Sequence, residues 1–332
     1  MAKASKPKAG SRAFWPRKRA ARIYPRLKAP PSDKARPLGF AAYKAGMVRA
    51  EFTDTGSGSP TPGEDVVTPV TVLESPPLAV AGVVLLRLGA YGWTEVKRVM
   101  AEKLSKDLAR KTATPKKPSP PGLQEMEKIV SAEGAQKRYD VRLLVHTQPK
   151  GAAGKKKPEV FELSLGGKLG DKLNYAKEKL GGEIKAGEVF SEGEFIDVSA
   201  VTTGKGYQGP VKRFGVKIRP RKHEKKRRHV GNIGAVTPGR VLPGKIAMAG
   251  QHGFQTRTEY NKFILRIADA KEKPATPKGG FLNYGEVRGP HMILKGSVPG
   301  PKKRLIMLKK AQRPPARPEK IEVKELFLES QQ

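Results

Sequence analysis

Three glycines in TTGKGYQGPVKRFG (202–215) have the spacing of a dinucleotide-binding loop. Gly204, Gly206 and Gly209 form G-x-G-x-x-G after a strand-like segment, and such glycines let a backbone approach a pyrophosphate at the start of a helix. The residues that follow are basic on every face rather than apolar on one, and the only carboxylate about twenty residues on is Glu224. We therefore predict no nicotinamide, flavin or other cofactor site here.

A second glycine motif, GRVLPGKI (239–246), has the G-x-x-x-x-G-K spacing of a phosphate-binding loop. It ends in Ile246, where such a loop needs a hydroxyl for magnesium, and Pro243 removes one amide from the anion-binding nest. The pattern is more typical of a Gly/Pro turn than of a triphosphate site.

The remaining polar residues indicate no catalytic or metal site. The chain has no cysteine, and no Ser/His/Asp set or carboxylate pair stands out. The histidines are scattered without metal-ligand spacing; they are His146, His223, His229, His252 and His291. We expect a protein that is not an enzyme and has no small-molecule substrate.

Charge is the strongest signal in the sequence. The 332 residues include 66 Lys and Arg against 31 Asp and Glu, a net charge of +35. Residues 1–36 hold twelve cations and one acid, and between Asp197 and Glu259 fourteen cations face Glu224 alone, whereas 94–200 holds 21 cations and 16 acids. Such acid-free segments repel themselves unless a polyanion compensates them, so a nucleic-acid partner is predicted.

The elements that carry these segments are predicted to be mainly β-strands. Period-two, β-branched-rich patterns occur at 38–52, 66–74, 78–88, 139–147, 195–201, 263–269, 291–298 and 304–310. Helical patterns occur at 94–110, 123–134 and 170–182, the first with Thr94 as N-cap. Short strands separated by Gly and Pro turns favour a closed β-barrel carrying a helical (α+β) insertion, a basic N-terminal extension and a long internal loop.

No segment indicates a membrane or export signal. The N-terminus lacks an apolar core like that of a signal peptide, and the longest apolar run, 78–86, stops at Arg87. A run of this length is too short to span a bilayer. We expect a cytoplasmic protein with no membrane partner.

Aromatic residues are interleaved with the basic segments and could stack on unpaired bases. They are Phe14, Trp15 and Tyr24 in the tail and Tyr207, Phe214 and Phe254 in the internal segment. Each could equally fix its segment to the body of the protein. Composition leaves two nucleic-acid partners open, namely structured RNA and, as the alternative, DNA bound by a nucleoid- or chromatin-type protein.

Three ordered segments resemble one family. DVSAVTTGKGYQGPVKRFGVK (197–217), AGQHGFQTRTEYNK (249–262) and LKGSVPGPKKRLIML (294–308) are similar to the signature stretches of the universal large-subunit ribosomal protein L-three family in its archaeal form. The resemblance extends from about Leu38 to about Lys310. It implies a closed, six-stranded barrel of the translation-protein type, binding to large-subunit (23S) ribosomal RNA, an early role in subunit assembly, neighbouring large-subunit ribosomal proteins, and a loop approaching the peptidyl transferase centre.

The resemblance and the charge pattern together divide the chain into seven segments. They are a basic N-terminal extension (1–37), a first part of the barrel (38–93), the helical insertion with linkers (94–182), a barrel strand and Gly-rich loop (183–209), a basic internal loop (210–258), the last part of the barrel (259–312) and a C-terminal tail (313–332).

The residues expected to contact RNA lie in the tail and the internal segment. They are Arg12, Trp15, Arg17, Lys18, Arg19, Arg22, Lys205, Lys212, Arg213, Lys217, Arg219, Arg221, Lys222, His223, Lys225, Lys226, Arg227, Arg228, Arg240, Lys245 and Arg257. Gly204, Gly206 and Gly209 would allow close approach of the backbone to phosphates. At the expected tip of the loop, GAVTPG places Val236 where many relatives carry tryptophan in G-x-W-x-P.

Overall fold

The computed structural model describes most of the chain. The described residues are 13–27, 31–55, 59–113, 121–132, 138–152, 154–237, 239–242, 244–315, 321 and 323–331.

The protein is mainly β, as the sequence predicts. Its strands are β1 (Gly39–Thr53), β2 (Asp65–Glu74), β3 (Leu78–Gly89), β4 (Gly92–Met100), β5 (Tyr139–His146), β6 (Val160–Ser164), β7 (Glu183–Ile184), β8 (Phe195–Val201), β9 (Gly204–Gln208), β10 (Gly250–Gly253), β11 (Thr256–Asp269), β12 (Pro290–Lys295), β13 (Leu305–Lys310) and β14 (Val323–Phe327). All eight segments with a strand pattern form strands. The strands that the pattern missed are short, glycine-rich or at a sheet edge, where alternation is weak.

Helices are short. They are α1 (Pro121–Ser131), α2 (Leu169–Lys179), α3 (Ala186–Val189) and α4 (Pro210–Phe214), with single 3-10 turns at Leu108–Arg110 and Arg221–His223. The helices predicted at 123–134 and 170–182 are confirmed as α1 and α2, although α1 ends at Ser131 and α2 at Lys179.

The helix predicted at 94–110, with Thr94 as its N-cap, is wrong. Gly92–Met100 forms β4, which pairs with β3 in a hairpin that joins Leu88 to Trp93 and Val83 to Val99. The alternating charges of this segment fit a helix, but its β-branched residues and the turn at Gly92 allow cross-strand pairing, which local propensity does not register. The interval 94–182 therefore holds most of β4 and all of β5 and β6 besides its helices.

The larger sheet has seven strands in the order β13-β8-β11-β12-β2-β1-β14, and β13 also pairs with β1. That last pairing is antiparallel and runs from Gly39 opposite Lys309 to Tyr43 opposite Leu305. Strand β1 is buried along most of its length, which explains its nearly continuous apolar sequence. Along the six strands β13-β8-β11-β12-β2-β1, the first and the last are thus hydrogen-bonded to each other.

A buried carboxylate lies where three strands of this sheet meet. Asp197 on β8 is fully buried and accepts hydrogen bonds from the main-chain N–H groups of Asn261 (3.2 Å) and Gln312 (3.4 Å). The ammonium of Lys309 on β13 lies 3.5 Å from it. This charge is neutralised within the fold.

The second sheet has the order β4-β3-β5-β6, with β7 paired to β3. A hydrophobic cluster joins it to β1 and α2 through side chains that include Phe40, Tyr43, Val83, Leu143 and Leu173. The two sheets therefore share one core, whose stability comes mainly from apolar burial.

By compactness the chain separates into two units. The first, called the basic unit below, combines the described residues up to Ile23 with Val201–Arg257; the second combines Tyr24–Ala200 with Thr258–Gln332 and holds both sheets. The chain enters the basic unit at the end of β8 and leaves it at the start of β11.

Candidate nucleic-acid interface

The glycine-rich motif forms an antiparallel ribbon. Strand β9 pairs with β10 so that Gln208 is opposite Gly250 and Gly204 is opposite Gly253. Gly206 has a φ of 64°, a left-handed conformation that side chains disfavour. The ribbon leads into α4, which has five residues, ends at Phe214 and is capped by Gly215. The motif therefore lacks the long helix that a dinucleotide fold places on its sheet.

Space is open around two of the motif glycines. A Cβ atom at Gly206 or Gly209 would have no neighbour within 4 Å, whereas at Gly204 it would lie 3.5 Å from Phe254. The role predicted for these glycines, close approach to phosphate, stays a prediction.

The second glycine motif is a turn region, as predicted. Gly239 and Gly244 have positive φ angles of 62° and 74°, and the described residues of the motif form no helix or strand. Pro243 lies outside the described residues. A Cβ atom at Gly244 would be 3.3 Å from the Trp15 ring, so this glycine lies against the N-terminal tail.

Residues 215–247, called the finger below, are mostly exposed. Arg219 links three positions in the first half of the finger. The main-chain N–H of Arg219 donates to Arg227 O (3.1 Å), and the guanidinium of Arg219 donates to Gly231 O (3.3 Å). Val236 is 92% exposed, beside a turn in which Gly239 N–H donates to Val236 O. The exposed cationic candidates of the finger are Lys217, Arg221, Lys222, His223, Lys225, Lys226, Arg227, Arg228, Arg240 and Lys245.

The tail packs on the base of the finger through arginine–aromatic contacts. The guanidinium of Arg17 lies 4.1 Å from the centroid of the Phe214 ring, and Trp15 meets the same ring edge-on at 5.2 Å. Farther along, Ala20 N–H donates to Phe254 O at 2.8 Å. Guanidinium–ring contacts also join Arg19 to Phe254 and Arg257 to Phe14, at 5.5 and 4.6 Å.

Positive charges are crowded at this base. Burial, followed by the nearby Arg213 and Arg257, lowers the pKa of Arg17. Burial also lowers the pKa of His252, and the neighbouring cations Lys205, Arg17, Arg213 and Arg257 lower it further. Glu224 is the only carboxylate among residues 201–257, and residues 1–23 have none. At most one cation of the basic unit can therefore pair with a carboxylate of the same unit.

The predicted contact residues thus fall into two groups. In the tail and ribbon, Lys18, Arg19, Arg22, Lys205 and Lys212 are exposed like those of the finger, whereas Trp15, Arg17, Arg213, Arg219 and Arg257 are half-buried and make contacts within the unit. Arg12 lies outside the described residues. Sequence reasoning missed Gly250 and Gln251, which contact Arg213. The available signal was Gly250 itself, in the segment AGQHG.

Comparison with known families shows to which family the chain belongs. A family model described as Ribosomal protein L3 matches residues 1–331. The chain belongs to this family. Proteins named large ribosomal subunit protein uL3 are 45% identical in Methanobrevibacter smithii (95% of this chain, 94% of the relative), 47% in Methanothermobacter thermautotrophicus (94% and 93%) and 46% in Archaeoglobus fulgidus (93% and 93%). The resemblance in the three signature segments is therefore confirmed over the whole chain.

The described part of the chain has neither a helix suited to a membrane nor a cluster suited to a metal ion. None of its helices is long and apolar enough to cross a membrane. Within the same residues, no group of three or more His, Asp or Glu side chains is arranged to hold a metal ion.

Proposed function

We propose that the protein is a structural, non-catalytic component of the large ribosomal subunit in the cytoplasm, and that its basic unit binds large-subunit ribosomal RNA. Membership of the ribosomal protein L3 family and the names of its archaeal relatives support this function. In this proposal the protein neutralises phosphates and supports early assembly of the subunit, and RNA does the chemistry.

The observation that carries the RNA interface is a folded unit with many cations and one carboxylate. Its ribbon and finger present exposed cations on both sides of Glu224, and the excess charge requires an external polyanion. The exposed cations named above are the proposed phosphate contacts, with Arg12 as a further candidate. Arg17, Arg213, Arg219 and Arg257 contribute charge from half-buried positions, and Trp15 contributes a half-buried aromatic ring.

We also propose that the larger sheet closes into a six-stranded barrel of the translation-protein type. The pairing of β13 with β1 supports closure, because it links the two ends of the path β13-β8-β11-β12-β2-β1. A closed sheet leaves no edge among these six strands. The seven-segment division of the chain made from sequence is kept as part of the proposal, with 94–182 as a mixed α/β insertion.

The finger is the element proposed to enter the RNA, with Val236 at its tip and directed toward the peptidyl transferase centre. Its exposure and its exposed cations support this placement. Valine offers a smaller apolar surface than the tryptophan of many relatives. Neighbouring large-subunit proteins are the other proposed partners.

Two measurements test the function. Purified protein added to large subunits depleted of it should co-sediment with them. In competition, structured ribosomal RNA should displace labelled RNA at far lower concentration than duplex DNA of equal length. Preference for duplex DNA would favour a nucleoid- or chromatin-type protein, the alternative that the family match does not support.

A further inference from the structure

The two ends of the finger meet at one arginine. Helix α4 ends at Phe214 just before the finger, and β10 begins at Gly250 just after it. Arg213 Nε donates to Gln251 O at 2.9 Å, and Nη1 donates to Met248 O at 2.8 Å. One side chain from the entry to the finger therefore binds two carbonyls at its exit.

The guanidinium of Arg213 also fills the space next to Gly250. A Cβ atom at that glycine would lie 3.0 Å from both Cζ and Nη1 of Arg213. Such a distance is tighter than nine in ten real contacts of a Cβ atom. The absence of a side chain at Gly250 allows the guanidinium to reach both carbonyls.

The N-terminal tail covers the same point. The Phe214 ring has the guanidinium of Arg213 at 5.0 Å and that of Arg17 at 4.1 Å. Arg17 Nη1 donates to the main-chain carbonyl of Arg213. Two arginines from distant parts of the sequence thus converge on one phenylalanine and on the backbone beside it.

We propose that Arg213 is a positioning residue, a clasp that closes the base of the finger and fixes the direction in which the finger leaves the ribbon. The proposal rests on the proposed RNA-binding function, since it concerns how the exposed cations of the finger reach RNA. Closing a loop of this length costs conformational entropy, and the clasp supplies charge-assisted hydrogen bonds that offset it. Two of its donors already bind carbonyls, so its main role is not that of a direct phosphate contact.

A lysine cannot replace this arginine in the clasp. The guanidinium is a planar fork whose donors reach two carbonyls while its face lies against a ring, whereas an ammonium is a compact point charge. Neighbouring Lys212 is exposed and provides the matched control. If Arg213 acts as a clasp, Arg213→Lys should loosen the base of the finger although it keeps the charge. Lys212→Gln, which removes a charge, should leave the base unchanged.

The first measurement is amide hydrogen exchange of β9 and β10 in the full-length protein without RNA. We expect Arg213→Lys to speed exchange at Met248–Gln251 by roughly tenfold, and Lys212→Gln to leave it unchanged. Unchanged exchange in strands of the larger sheet checks that the variant remains folded. Equal exchange at Met248–Gln251 in Arg213→Lys and the wild type would overturn the clasp, whatever the protein does with RNA.

The second measurement is the salt dependence of binding to a fragment of large-subunit ribosomal RNA. We expect Arg213→Lys to weaken binding about fivefold at every salt concentration, with an unchanged slope of log affinity against log salt. The reason is that this variant misplaces the finger but removes no phosphate contact. Lys212→Gln should reduce the slope by about one. A reduced slope in Arg213→Lys would instead make Arg213 a phosphate contact and overturn the proposal. Failure of the wild type to bind RNA would count against the proposed function, while hydrogen exchange would still test the clasp.

Discussion

Residues 94–182, the proposed insertion, and the basic unit use their charges in opposite ways. In the insertion, cations pair with carboxylates across strands and helices, as Arg142 does with Glu162 and Lys172 with Asp140. In the basic unit, Glu224 is the only acid among residues 201–257, and the half-buried arginines bind carbonyls and aromatic rings instead. Ion pairs within 94–182 make its surface nearly neutral. The cations of the basic unit have no carboxylate partners within the unit except at Glu224, so its surface stays positive and can bind a polyanion.

The largest expected effect of this difference is on the salt dependence of RNA binding. Phosphate neutralisation releases counterions, so affinity for ribosomal RNA should fall by about a thousandfold between about 50 and 200 mM monovalent salt. Filter binding across this range measures it. A response of less than tenfold would mean that uncompensated charge does not govern binding, and the contrast between the two regions would lose its functional meaning.

The second effect is on stability and concerns charge that the fold neutralises. Asp197→Ala should lower the free energy of unfolding by about 3 kcal/mol, because it leaves Lys309 and two main-chain N–H groups without their acceptor. Urea denaturation followed by circular dichroism measures the loss. The control is Glu95→Ala, which breaks an exposed pair with Arg98 and should cost less than about 1 kcal/mol. Equal losses in both variants would contradict the structural role given to Asp197.

A third effect separates finger cations from insertion cations. Changing Arg221, Lys222 and Lys225 together to Gln should weaken RNA binding by roughly thirtyfold, with little change in stability, since all three are exposed.

The matched control changes three exposed insertion cations to Gln, namely Lys103, Lys106 and Lys111. It should alter RNA affinity by less than about threefold. Incorporation into large subunits should follow the same order. If both triple variants bind and assemble alike, the interface does not lie on the finger.

The smallest effect is a pH dependence at the base of the finger. Burial, and to a lesser extent the nearby cations, hold the pKa of His252 below its ordinary 6.5 in the free protein. Phosphates of bound RNA would offset those cations and raise the pKa, so binding takes up a proton and affinity should rise as pH falls. We expect a gain of roughly two- to threefold from about pH 7.5 to 6.

The variant His252→Gln isolates this contribution, because it removes the imidazole at this position and leaves the other histidines of the basic unit in place. Its affinity should change less with pH than that of the wild type. Identical pH profiles would show that RNA does not approach the ribbon near His252.

The difference between the basic unit and residues 94–182 can largely be predicted from the sequence alone. The separation of acid-free segments from mixed ones is visible in the residues, as are the strands with strong alternation and the signature segments of the family. These features are local or compositional, so they do not depend on which distant residues meet. The same holds for the rejection of Gly204, Gly206 and Gly209 as a cofactor motif, since the basic residues after them already argue against an apolar helix.

Tertiary structure decided what local patterns could not. Segment 94–100 carries charges spaced as on a helix, yet it is a strand because β3 offers it a partner. The sequence predicts Trp15, Arg17 and Arg213 as RNA contacts, and the structure adds that all three side chains pack against Phe214. Arg213 also donates hydrogen bonds to the carbonyls of Met248 and Gln251. Pairing and packing between residues far apart in the chain determine such roles, and a sequence pattern read along a few turns or strands carries no information about them.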